Sequence, residues 1–82
     1  MFYIDNLSSL KDGEEAQVIK LLTKGTMRRR LQDIGLISNT KVLCLQKSPS
    51  KDPVAYMIRG AVIALRNCDA ENVIIKISQN SK

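Results

Sequence analysis

Only one stretch of this chain carries helical periodicity, and the runs around it are short, strand-like and separated by turns too brief to cross a sheet. In Thr26-Met27-Arg28-Arg29-Arg30-Leu31-Gln32-Asp33-Ile34-Gly35-Leu36, the apolar residues Met27, Leu31 and Ile34 fall at i, i+4 and i+7, one stripe of a short helix packed by a single face. Gly35 stands where a left-handed C-terminal cap belongs, which predicts a helix over residues 27–34. Its charges are badly placed for local stability. Three arginines near the N-terminal end oppose the helix dipole, and Arg29 takes the slot where a capping-box glutamate would help.

Five strand-like runs surround the helix, at residues 16–22, 41–46, 54–59, 61–66 and 73–77. Lys11-Asp12-Gly13 precedes the first run, Ser38-Asn39-Thr40 the second, and Ser48-Pro49-Ser50-Lys51-Asp52-Pro53 joins the second to the third as a hairpin loop. Arg59-Gly60-Ala61 makes a tight connection, and Asp69 to Asn72 reads as a single helical turn with Asp69 as its N-cap. Links this short demand antiparallel neighbours. Val73, Ile75 and Ile77 share one face of the last strand; the fourth carries apolar residues on both faces and is expected to be central. In the first, Ala16 and Val18 keep one phase and Ile19 and Leu21 the other, the mark of a bulge that lets a small sheet close. The expectation is an all-β fold with one short helix: a small five-stranded barrel, the helix inserted after strand one.

At 82 residues the chain is expected to form one domain, residues 1–82, burying roughly 60 to 65 per cent of its unfolded surface. No apolar run is long enough to span a bilayer and no signal-peptide pattern is present, so the chain is expected to be soluble and cytoplasmic. Thirteen Lys and Arg against eight Asp and Glu leave a net charge of +5, which favours an acidic partner without choosing among nucleic acid, membrane and protein. An aromatic content of 4% is too low for a base-stacking platform, so nucleic acid is not the expected partner.

Cys44 and Cys68 are the only cysteines, far apart, and the chain has no histidine. They make neither a disulfide framework nor a zinc site, and no metal or cofactor is expected. Cys44 alternates with Val42 in an apolar run and reads as buried, while Cys68 follows Asn67 in a turn and reads as exposed. Without histidine, phosphate loop, nucleophile elbow or paired carboxylates, catalysis is not expected.

Leu7-x-x-Leu10-x-x-Gly13, then Arg30-Leu31-x-x-Ile34-Gly35-Leu36, Thr40-x-Val42, Asp52-Pro53-Val54 and Ile63-Ala64-Leu65-Arg66, in that order, resemble the FeoA family across nearly the whole chain. The resemblance implies an SH3-like barrel and a cytoplasmic accessory of ferrous iron uptake that binds the GTP-binding part of a FeoB-type membrane transporter. Ser38-Asn39 stands where the family usually has Pro-Gly, and asparagine keeps the left-handed turn available. The same module resembles the C-terminal domain of DtxR-type metal-dependent repressors, without their helix-turn-helix. A small basic barrel that binds nucleic acid is the rival from another class, and the oligomeric state is left open.

Arg28 and Arg29 are the candidate contacts for acidic groups on a partner, with a solvated helix face as the alternative. Arg30 lies beside Met27 and Ile34 on the helical wheel, so its stem is expected to pack on the barrel and its head to bond loop carbonyls. Leu36 and Ile37, with the loop from Pro49 to Pro53, are the candidate lining of an apolar groove, against a plain core role for the pair.

Overall fold

The computed structural model describes residues 2–47 and 52–78, and all five expected strands are present in it. They are β2 (Glu15–Leu21), β3 (Lys41–Lys47), β4 (Val54–Ile58), β5 (Ala61–Leu65) and β6 (Val73–Ser78). A further strand, β1 (Phe2–Asn6), precedes them, so the expected five becomes six and the helix α1 (Gly25–Asp33) follows the second strand, not the first. No alternation marks β1, because Phe2, Tyr3 and Ile4 are all exposed and no face of it is buried. Its pairing with β6, from Phe2 opposite Ser78 to Asn6 opposite Ile74, places it.

The ladders are antiparallel and run β1-β6-β2-β3-β4-β5. Two register shifts bend the sheet around one core. The first lies between Val18 and Lys20, where the apolar phase of β2 changes, and the second between Cys44 and Gln46. No ladder among the described residues joins β5 to β1, so the barrel stays open along that seam.

The expected central strand is the far edge. Among the described residues β5 pairs with β4 alone, and the central place belongs to β6, whose Val73, Ile75 and Ile77 are buried between β1 and β2. Apolar residues on both faces of β5 do not make it central: only Leu65 is buried and Ile63 partly so, while Val62 is 64% exposed. Burial of both faces needs cover on both, and the outer face of β5 has none.

Tyr56 occupies the middle of the core, fully buried, with its hydroxyl donating to the Leu7 carbonyl at 3.4 Å. Burial, with the Cys44 thiol as a lesser influence, pushes that hydroxyl up to about 12. Cys44 is buried and Cys68 exposed, as the local patterns indicate.

The second helix, α2 (Asn67–Ala70), begins two residues before the expected turn. Its N-cap is Arg66, which makes no side-chain cap bond, and Asp69 lies within the first turn. The capping acceptor comes from far along the chain: Asp52 Oδ1 takes the Asn67 N–H at 3.0 Å. A reading of adjacent residues cannot find such a cap.

Candidate functional site

α1 starts at Gly25, whose φ of 67° follows an N-cap, Lys24, without a side-chain bond. It ends in a Schellman arrangement. The Leu36 N–H donates to the Leu31 carbonyl at 3.0 Å and the Gly35 N–H to that of Gln32 at 3.0 Å. Gly35 supplies the positive φ, 107°, as the sequence predicts. The turn brings Leu36 onto Leu31 in the core and leaves Ile37 45% exposed.

With its end fixed, α1 lies beside β5, and a groove of about 470 Å³ opens between them. Met27, Leu31 and Ile34 line one wall, Ile63 to Arg66 the other, and Cys68 and Asp69 of α2 close one end. The floor is apolar because the helical stripe faces the inner side of β5. Arg30 and Arg66 stand in the lining against a single carboxylate, Asp69, so the rim is basic. Nothing in this groove pairs a nucleophile with a base. Among the described residues no three His, Cys, Asp or Glu side chains gather into a metal-binding group.

The arginines divide differently from the expectation. Arg28 is the one that bonds a loop carbonyl, its Nη1 donating to Leu21 O at 3.0 Å and tying the helix to the end of β2. Arg30 instead is exposed at the groove and makes no such bond among the described residues. Position along the helical wheel was right, but the strand end that Arg28 reaches is a tertiary fact. Arg29 is exposed and forms no ion pair with Asp33.

The expected apolar groove divides as well. Leu36 is fully buried and unavailable to a partner, while Ile37 and Pro53 are exposed; Pro49 lies outside the described residues. A central β5 would leave no room for the groove that does form beside it. Its signal was the helical stripe itself, Met27, Leu31 and Ile34, which needs a counterpart and finds it in Ile63 and Leu65. A second hollow of about 280 Å³ lies on the outer face between Glu15, Lys41, Met57 and Arg59. It is shallow and mixed in character.

The FeoA domain model matches residues 6–77. The chain is 30% identical over 76 residues to the Fe(2+) transport protein A/Fe(2+) transporter FeoB fusion protein of Porphyromonas gingivalis; the match covers 92% of this chain and 9% of that relative. A solution structure of a FeoA protein from Chlorobium tepidum superposes with a TM-score of 0.85 at 31% identity, covering 94% of this chain and 73% of that one. FeoA from Stenotrophomonas maltophilia, described as a prokaryotic SH3 domain protein, superposes with a TM-score of 0.76 at 24% identity, covering 85% of this chain and 87% of that one. That last likeness bears on the fold alone, and the six strands described above are its SH3-like barrel. With a family model matching from Asn6 in β1 to Ile77 in β6, the chain belongs to the FeoA family.

Proposed function

We propose that this chain is a non-catalytic accessory of ferrous iron uptake that binds the cytoplasmic, GTP-binding part of a FeoB-type transporter and modulates its activity or assembly. The observation that carries the reading is the relative in which a transport protein A and a FeoB transporter are one polypeptide. Covalent linkage raises the effective concentration of two modules for each other, and fusion is retained where they work side by side. No helix among the described residues is long and apolar enough to cross a membrane, in keeping with a module that docks on a transporter.

The basic side of α1 is the proposed contact. Arg29 and Arg30 are exposed without ion pairs among the described residues, and an acidic surface on the partner would satisfy both. Arg28 joins them by position, although one of its nitrogens holds Leu21 O. Ile37 and Pro53 are further exposed apolar side chains that a contact could cover.

The test is copurification with the isolated GTP-binding domain and with the full transporter, each with and without nucleotide, alongside ferrous uptake in cells. Wild-type protein should copurify, and R29E/R30E should lose both copurification and uptake while melting within a few degrees of wild type. Absence of any wild-type complex in every nucleotide state would end the reading. A double variant that binds and supports uptake normally would move the contact off α1.

A further inference from the structure

β5 is an edge strand without the devices that normally blunt an edge. Its five residues, Ala61-Val62-Ile63-Ala64-Leu65, include no charge and no proline. Its ladder with β4 runs without a register shift from Ala61 opposite Ile58 to Leu65 opposite Val54. Exposed edges in natural proteins carry lysine, proline or a bulge, because an open row of N–H and C=O groups templates further strands. An edge left unguarded is one that is covered in use.

The β4–β5 turn determines which backbone groups point outward. Arg59 and Gly60 both have positive φ, 51° and 82°, the signature of a two-residue type I′ turn. In that hairpin the flanking residues, Ile58 and Ala61, exchange both hydrogen bonds, and bonded pairs then alternate along the ladder. Ile63 and Leu65 therefore bond to β4, while the N–H and C=O groups of Val62 and Ala64 face away from it. Among the described residues those four groups take no other partner. Both side chains are exposed too.

Opposite this edge runs α1, and the groove between them has Met27, Ile34 and Ile63 half-buried along it. A helix set beside an unpaired edge is the arrangement in which an extended peptide adds as a strand, main-chain bonds giving affinity and alternate side chains giving specificity. Charge selects the occupant. The chain carries +5, and Arg30 and Arg66 flank the groove against Asp69 alone. Self-pairing is disfavoured by the same charges. Antiparallel β5 strands centred on Ile63 would set Arg66 of each copy opposite Gly60 of the other, one residue from Arg59, and like charges brought this close weaken a ladder.

We propose that the free edge of β5 takes up, as a seventh strand, an extended segment of the partner whose residues alternate between apolar and acidic. Its backbone bonds to Val62 and Ala64, its apolar side chains enter the groove against Met27, Ile34 and Ile63, and its carboxylates meet Arg66 and Arg30. This rests on the reading that the chain docks on a FeoB-type transporter, which supplies the segment.

Amide hydrogen exchange on the isotope-labelled chain, alone and with the transporter's purified GTP-binding part, tests it. In the complex the Val62 and Ala64 amides should slow by at least about tenfold, while Ile63, already bonded to β4, changes less. Val62→Pro removes one outward N–H at an exposed edge position where proline is tolerated, and should raise the Kd by about tenfold or more. Arg66→Glu, which leaves the backbone alone, should weaken the complex comparably and keeps the proposal falsifiable if Val62→Pro does not fold. No wild-type complex at all removes the docking reading and this inference together. A complex that forms while Val62 and Ala64 exchange as before, or while both variants bind normally, overturns strand addition alone. Protection that grows with the concentration of the isolated chain assigns the edge to a second copy and overturns it too.

Discussion

Replacing Gly35 by alanine should cost more than the same change at Gly13, Gly25 or Gly60, where an added Cβ meets nothing within 4 Å, and for two separable reasons. The backbone there has φ of 107°, beyond the narrow left-handed well that alanine tolerates, a conformation costing a side-chain-bearing residue about 1 to 3 kcal/mol. The added Cβ would also stand 2.6 Å from Arg59 Cδ, 3.2 Å from Arg59 Cγ and 3.3 Å from Ile58 Cγ2. Arg59 is exposed and its stem can swing away; Ile58 is fully buried and has nowhere to go. Alanine recovers about 0.4 to 1 kcal/mol by restricting the unfolded chain. Together these give a loss of about 2 to 4 kcal/mol, each kcal/mol worth about 4 to 8 °C of Tm in a domain of this size.

Urea unfolding measures the loss, and a cycle with Arg59→Ala divides it. G35A/R59A should regain about 1 kcal/mol relative to the sum of the single variants, the share due to the arginine stem, and no more. A G35A variant within about 0.5 kcal/mol of wild type would refute the reasoning at its root. If G35A/R59A were as stable as R59A alone, the backbone conformation would contribute nothing and the cost would be steric only. The consequence reaches the groove, because the Gly35 turn sets where Ile34 and the C-terminal end of α1 lie against β5.

Leu31→Ala removes the buried anchor of α1, which is 3% exposed, and should cost about 2 to 5 kcal/mol in urea unfolding, with uptake failing only through loss of fold. The native protein should be alkylated at Cys68 and spared at Cys44, which is fully buried; equal labelling rates would contradict that burial. Tyr56 gives a pH dependence: its hydroxyl is raised to about 12 in the fold against about 10 when unfolded. Its contribution is therefore complete below pH 10 and is lost as pH rises toward 12, so the stability of wild type should fall more steeply across that window than that of Tyr56→Phe.

What the sequence revealed and what it hid separate by range. The Gly35 cap, the left-handed Asn39 (φ 72°) and the bulge at Val18 are local in cause, since neighbouring residues decide the backbone, and each was legible from neighbours. The burial of Cys44 and of Val73, Ile75 and Ile77 followed from alternation, which reports directly on a face turned inward. β1 was invisible because its residues are exposed on every side. The place of β5 was misjudged because apolar residues on two faces mark a central strand only when both faces have cover. Arg28 bonds a carbonyl where Arg30 was the expected donor, and Asp52 caps α2, through contacts 7 and 15 residues apart in the chain. No reading of spacing along one element supplies those.

The same strand bears on function. A strand of sequence Ala-Val-Ile-Ala-Leu is written for burial on two faces, yet its outer side chains are exposed and the backbone groups of Val62 and Ala64 face away from β4. A sequence locally consistent with being central, placed at an edge, is a conflict between local and global structure, and such conflicts in natural chains concentrate at functional sites. Arg30, exposed and without an ion pair among the described residues, is a second unmet group, on the opposite wall of the same groove. One extended acidic segment would resolve both, completing the ladder of β5 and neutralising the rim. The open edge of β5 and the exposed cation of α1 thus lie on one groove, where a partner strand would meet both.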